Sequence, residues 1–205
     1  MSTPFEIEGS TLVKYTGTEE EVIVPQGVKC IGEGAFGFCQ FPKRVVLPEG
    51  LTHIGDSAFE DCCNLQEINI PGTVEQIGQC AFRTCTNLTA VELPDSVQEI
   101  GAGAFSFCRM LRDVTLPAGL RELPAHLFAG CKSLEHAVIP QGAATIGEYA
   151  FRSCKELREI SLPESLEFIG GSAFGGCTGL EKVTVPGKCQ CEKRAFPLSC
   201  TVTVK

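Results

Sequence analysis

Three kinds of side chain in this 205-residue chain have the chemistry to act on something: thirteen cysteines, three histidines and a scatter of carboxylates. Cysteines in such number suggest a disulfide framework, a zinc centre or a nucleophile, and spacing decides among them. Eight of the thirteen, Cys39, Cys62, Cys85, Cys108, Cys131, Cys154, Cys177 and Cys200, recur every 23 residues. Equivalent side chains in a stack point the same way. At a strand-like separation of about 4.8 Å their Cβ atoms lie beyond the roughly 3.5–4.5 Å that a disulfide bridges. Reduced, buried thiols are therefore expected, with Cys behaving as a small hydrophobe. No C-x-x-C pair is present and a column offers no convergent fourfold site, so no metal is expected. Cys30, Cys63, Cys80, Cys189 and Cys191 lie off the column, and their redox state is left open.

The remaining candidates are sparse. His53, His126 and His136 fall at different positions of the repeat and do not converge. Glu92 and Asp113 would sit on neighbouring strands, within the roughly 5–9 Å used by glycoside hydrolases, but the chain has no tryptophan and no cleft-forming loops. Gly101-Ala102-Gly103 lacks the long strand and helix of a phosphate loop. Asn87-Leu88-Thr89 matches a glycosylation sequon at a core position. No catalytic residue, cofactor or enzymatic activity is expected.

The elements that carry these side chains repeat as well. An isoleucine or leucine opens each unit at 31, 54, 77, 100, 123, 146 and 169, and a proline follows a short apolar alternation at 25, 48, 71, 94, 117, 140, 163 and 186. A fixed period of this length marks a solenoid, in which no unit buries its apolar face alone. Leu65-x-x-Ile68-x-Ile70-Pro71 predicts a short strand. Ala81, Phe82, Cys85 and Leu88 are spaced as on a helix, so one or two helical turns are expected there. Phe5–Glu8 and Thr11–Tyr15 alternate around Gly9-Ser10 and predict a hairpin cap over residues 1–21. Residues 22–205 form about eight coils, the last of them a degenerate C-terminal cap. Leu123-Pro124 and Leu127-Phe128 depart from Ile-Gly and Ala-Phe, and Ala195-Phe196 comes one residue early.

Strand alternation sends two columns of side chains outward. The first is Glu21, Arg44, Glu67, Ala90, Asp113, His136, Glu159 and Lys182. The second is Ile23, Val46, Asn69, Glu92, Thr115, Val138, Ser161 and Thr184. Net charge of −8 and the absence of any basic run argue against nucleic acid. No apolar stretch reaches the roughly 18 residues of a membrane span, so no membrane insertion is expected. The polar stretch Met1–Thr18 has no apolar h-region, so no signal peptide is expected.

The run IGxxAFxxCxxLxxVxLP, together with Leu12-Val13-Lys14-Tyr15-Thr16-Gly17, resembles the BspA-like leucine-rich repeats. The resemblance implies an α/β repeat solenoid: a right-handed curved rod with one short parallel strand and a short helical segment per 23-residue coil. It implies a non-catalytic interaction or adhesion module that binds a protein or a glycan and is found at bacterial surfaces or secreted; a monomer is expected. On that reading the binding candidates are Arg44, Glu67, Asn69, Glu92, Asp113, Thr115, His136, Glu159, Ser161 and Lys182. The alternatives are a structural spacer or stalk, and a cytoplasmic location.

Overall fold

The computed structural model describes residues 3–205. Each coil but the seventh contributes two short strands, so the solenoid has two parallel ladders where one was expected. The valine ladder runs Glu21–Ile23, Arg44–Val46, Glu67–Ile68, Ala90–Glu92, Asp113–Thr115, His136–Ala137, Lys182–Val185 and Thr201–Val204. The isoleucine ladder runs Cys30–Ile31, His53–Ile54, Gln76–Ile77, Glu99–Ile100, Glu122–Leu123, Thr145–Ile146, Phe168–Ile169 and Gln190–Cys191. Coils are numbered from 1, each consisting of one valine-ladder segment and the isoleucine strand after it; in coil 7 the segment 159–161 is not a strand. Pairings are in register, as in Val22↔Val45 and Ile31↔Ile54. The lead-in strands Phe5–Glu8 and Thr11–Tyr15 pair antiparallel, and the second of them continues the isoleucine ladder through Leu12↔Ile31.

The expected helical segments are absent among the described residues, and the hydrogen bonds explain why. In an α-helix every N–H returns to its own chain four residues back. Here alternate donors leave the coil. Ser57, Phe59 and Asp61 donate to the carbonyls of Gln79, Ala81 and Arg83 in the next coil, at 2.7–2.8 Å, while Ala58, Glu60 and Cys62 donate three residues back to Gly55, Ser57 and Phe59. The corner is a run of turns, knitted to its neighbour by a third ladder. This pattern needs two left-handed residues per coil, four apart. One column holds Gly34, Ser57, Cys80, Gly103, His126, Tyr149 and Ser172, and the other Phe38, Asp61, Thr84, Phe107, Gly130, Ser153 and Gly176, all near φ +50 to +80°. A side-chain-bearing residue there is strained by about 1–2 kcal/mol. The inter-coil bonds from the same residues, for example Thr84 N–H to Ser106 O at 2.8 Å, offset that strain.

Inside the corner the phenylalanines form one column. Phe36, Phe59, Phe82, Phe105, Phe128, Phe151 and Phe174 have no exposed surface. Successive ring centroids lie 4.7–5.8 Å apart. Tyr15 extends the column below Phe36 at 4.9 Å, and Phe196 extends it above Phe174 at 5.2 Å. At the far end Thr201–Val204 is exposed along its length.

The cysteine column runs beside the rings, and it does more than fill space. The Sγ of Cys62, Cys85, Cys108, Cys131, Cys154 and Cys177 donates to the carbonyl of the phenylalanine 26 residues earlier, at 2.9–3.2 Å. Each of those carbonyls already accepts the N–H of the cysteine in its own coil, as Phe36 O does from Cys39. The thiol occupies the second lone pair, a role that a purely apolar residue would leave vacant.

Two expectations follow. Phe105→Ala should lower stability by about 3–5 kcal/mol, the range for emptying a packed aromatic site, and an unchanged urea midpoint would contradict the stack. Burial holds the thiols of Cys62, Cys85, Cys131 and Cys154 well above the ordinary thiol range, whereas unfolded thiols ionise near about pH 8.5. Above that pH the unfolded chain binds fewer protons than the folded one, so stability is intact below about pH 8.5 and is lost as pH rises. Each such thiol removes about 1.4 kcal/mol per pH unit, and four set a limiting slope of about 5 kcal/mol per unit. Melting under reducing conditions from pH 7 to pH 10 reads this directly, and Cys131→Ala should reduce the slope.

Candidate binding face

The valine ladder sorts its side chains strictly. Val22, Val45, Ile68, Val91, Val114, Ala137, Ile160 and Val183 are buried, and their neighbours on either side face out. All eight members of the first outward column are exposed. In the second column every member is exposed except Val46, which is half-buried. Ile23 and Val138 are the bare apolar members, 65% and 72% exposed.

The candidate residues fall into groups with different local partners. Near the amino-terminal end Arg44 bridges two carboxylates, Glu21 at 2.9 Å and Glu67 at 3.6 Å. Lys43 pairs alongside with Glu20 at 2.8 Å. Asn69 is committed to the scaffold. Its Oδ1 accepts the Leu47 N–H at 2.8 Å, and its Nδ2 donates to the Leu47 carbonyl at 3.2 Å, so its amide stands in for a backbone rung. In the middle, Asp113 lies in register with Ala90 on one side and His136 on the other, while Thr115 is opposite Glu92. Glu92 and Asp113 are thus diagonal neighbours on an open face and enclose no cleft between them.

Glu159, Ser161 and Lys182 are the candidates gathered into a depression. In coil 7 the segment 159–161 pairs with neither neighbour, and a groove of about 670 Å³ opens there. Ile160, Leu162 and Val183 contribute apolar surface to it, and Glu159, Ser161, Lys182 and Thr184 polar surface. Thr201, Thr203 and Lys205 complete the lining. Lys205 is held by Glu164 at 2.9 Å, and the Thr184 and Thr203 hydroxyls are 3.0 Å apart. Sequence reasoning did not include these three C-terminal residues, although the alternation of Val202 and Val204 carries the signal. It puts Thr201 and Thr203 on the face of Lys182 and Thr184, as the pairing Lys182↔Thr201 and Thr184↔Thr203 has it.

The other reactive groups lie elsewhere. His53 Nδ1 is 2.7 Å from the Thr52 hydroxyl, and His126 packs on Tyr149 at 4.9 Å, both away from His136. Among the described residues no three His, Cys, Asp or Glu side chains gather as a metal cluster. Cys189 and Cys191 sit close together in the last coil. Burial, with the neighbouring thiol second, pushes Cys189 up to about 11, which opposes a nucleophilic role.

Comparison with known proteins places the architecture. A family model described as BspA type Leucine rich repeat region matches in six copies, over residues 9–134 and 81–202. A T. pallidum Leucine Rich Repeat protein of known structure is 31% identical, with a TM-score of 0.79 over 83% of this chain and 82% of that one. A leucine-rich repeat protein from Bacteroides ovatus is 24% identical, with a TM-score of 0.85 over 99% of this chain, which spans only 58% of its length. One from Eubacterium ventriosum is 20% identical, with a TM-score of 0.57 over 87% of this chain and 76% of that one. No curated protein matches the chain.

The Arg44 cluster is solvent-exposed, and exposed ion pairs contribute little. Arg44→Ala should therefore change the free energy of unfolding by less than about 1 kcal/mol. A larger loss in a denaturant titration would make the cluster a structural element instead of free surface.

Proposed function

Because the chain belongs to the BspA-type leucine-rich repeat family, we propose that it is a non-catalytic module that binds a protein through the outward columns of the valine ladder. The observation that carries this reading is the groove at coils 7 and 8. It combines an apolar floor with a carboxylate, two ammonium groups and several hydroxyls, the mixture of an apolar centre and polar rim found at protein interfaces. A protein is favoured over a glycan because neither outward column carries a tryptophan, tyrosine or phenylalanine on which a sugar ring could stack. Repeat solenoids suit this role because stacking aligns side chains along a continuous surface. On the same reading the lead-in hairpin closes the first coil, with Tyr15 standing in the ring column, and residues 22–205 form the binding array with its last coil as a degenerate cap. A place at the bacterial surface rests on the family's association. Among the described residues, no helix is long and apolar enough to cross a membrane.

The test is a pair of charge reversals, Glu159→Lys and Lys182→Glu, in a protein-capture experiment read by mass spectrometry. A specific partner should be recovered by the wild-type chain and lost with both variants, while Glu33→Lys, on a different part of the coil, retains it. Capture that survives both reversals would overturn the groove as the site. A chain that recovers no specific partner from any extract would favour a spacer role.

A further inference from the structure

The isoleucine ladder has one interruption, between coils 4 and 5. It is a six-stranded run up to Glu99–Ile100 and a separate four-stranded run from Glu122–Leu123 onward. The cause lies in the residue after each isoleucine. At 32, 55, 78, 101, 147 and 170 it is glycine, whose N–H donates to the ladder residue one coil back, as Gly101 does to Ile77 O at 2.7 Å and Gly147 to Leu123 O at 2.7 Å. The approach is too close for a side chain. A Cβ on Gly101 would stand 2.2 Å from the Gln79 nitrogen, and one on Gly147 would stand 2.5 Å from the Ala125 nitrogen. At this place in coil 5 stands Pro124. It has no N–H to give Ile100 O, and its ring occupies space that the stack does not provide.

The consequences reach across the interface. Gln98 and Glu99 donate to Glu75 O, and Ala144 and Thr145 to Arg121 O, but no corresponding bond joins Arg121 or Glu122 to Gln98 among the described residues. A cleft of about 670 Å³ opens there, lined by Ile100, Leu120, Arg121, Glu122 and Pro124 among others. The ring step from Phe105 to Phe128 is the widest in the column, at 5.8 Å. The corner bond from Phe105 to Leu127 O is 3.1 Å, where the other phenylalanines make theirs at 2.7–2.8 Å. On the opposite edge nothing opens, since Ala90–Glu92 and Asp113–Thr115 stay paired across the same interface.

We propose that this seam is a hinge: coils 1–4 and coils 5–8 flex as two bodies about the closed valine ladder, opening and closing the cleft beside Pro124. The axis lies along the paired strands Ala90–Glu92 and Asp113–Thr115 and crosses the outward columns, so the motion bends that face without tearing it. The angle between the Arg44 cluster and the groove at Glu159 then becomes variable. The other weakened interfaces lack this character. Between coils 3 and 4, 6 and 7, and 7 and 8 the isoleucine ladder is closed and the valine ladder is interrupted, and none of them has a proline in the glycine column.

Methyl relaxation dispersion on the intact chain tests the motion on its expected microsecond-to-millisecond scale. Dispersion is expected at Ile100, Leu120 and Leu123 and not at Ile54 or Ile77. Amide exchange at Glu122 should be at least about tenfold faster than at Gln76 and Thr145, which sit in closed rungs. Pro124→Gly restores the donor and removes the ring, and should abolish the dispersion at Ile100 while slowing exchange at Glu122. Flat profiles at Ile100 and Leu123 in the wild-type chain would overturn the hinge and leave a static gap. Dispersion that persists unchanged in Pro124→Gly would overturn the part assigned to the proline. The wild-type comparison stands whether or not that variant folds.

Discussion

The constraint on which the structure depends is that a coil cannot satisfy its own corner. Every second N–H in the stretch around Phe59 points at the coil above. An isolated coil would hold two left-handed residues, a bare ring and unpaired backbone donors, each unfavourable. Stacking resolves all three together, because the bond that fills the next coil's carbonyl also fixes the left-handed residue and seats one phenylalanine on another. Stability is therefore a property of interfaces between coils, as in quasi-one-dimensional repeat proteins. The cysteine column belongs to the same logic, the six thiols from Cys62 to Cys177 each reaching back to the phenylalanine carbonyl of the coil before it.

The two strand ladders share the work unevenly. The valine ladder is interrupted between coils 3 and 4 and on both sides of coil 7, and the isoleucine ladder between coils 4 and 5. No interface between successive coils loses both, and the phenylalanine bonds continue through every interface from coil 1 to coil 8. Because the ladders lie on different edges, a break in one leaves the interface held on the other. Two depressions of about 670 Å³ lie at such breaks: the groove at Glu159 beside the valine ladder, and the cleft at Pro124 beside the isoleucine ladder.

Much of this was legible in the residues. The period, the phenylalanine and cysteine columns, and the outward sorting of Glu21, Arg44 and Glu67 all follow from spacing, because a fixed step leaves one way to stack them. The helix did not survive, since Ala81, Phe82, Cys85 and Leu88 present the same apolar spacing whether the backbone is a helix or a run of turns. The difference lies in left-handed residues, which glycine reveals at 34 and 103 but Ser57, Thr84 and Tyr149 conceal. The second strand of each coil is two residues long, too short for alternation to show. Within the candidate face, exposure was readable, but the engagement of Asn69 with Leu47 and the grouping of Glu159 with Lys182 were not. Both depend on how one coil meets the next, which no single repeat encodes.

The uniform step has a genetic corollary. In-register strand pairs that join equivalent positions 23 residues apart, as Ile31 with Ile54, make the coil a modular cassette, corresponding to three times that number of nucleotides. Excision of residues 78–100 would join Ile77 to Gly101 with each column still in line, so unequal crossing-over could shorten or lengthen the rod in whole units. The cassette that carries Pro124 is the exception, because its loss or duplication would change not only the reach of the rod but the number of places at which it yields.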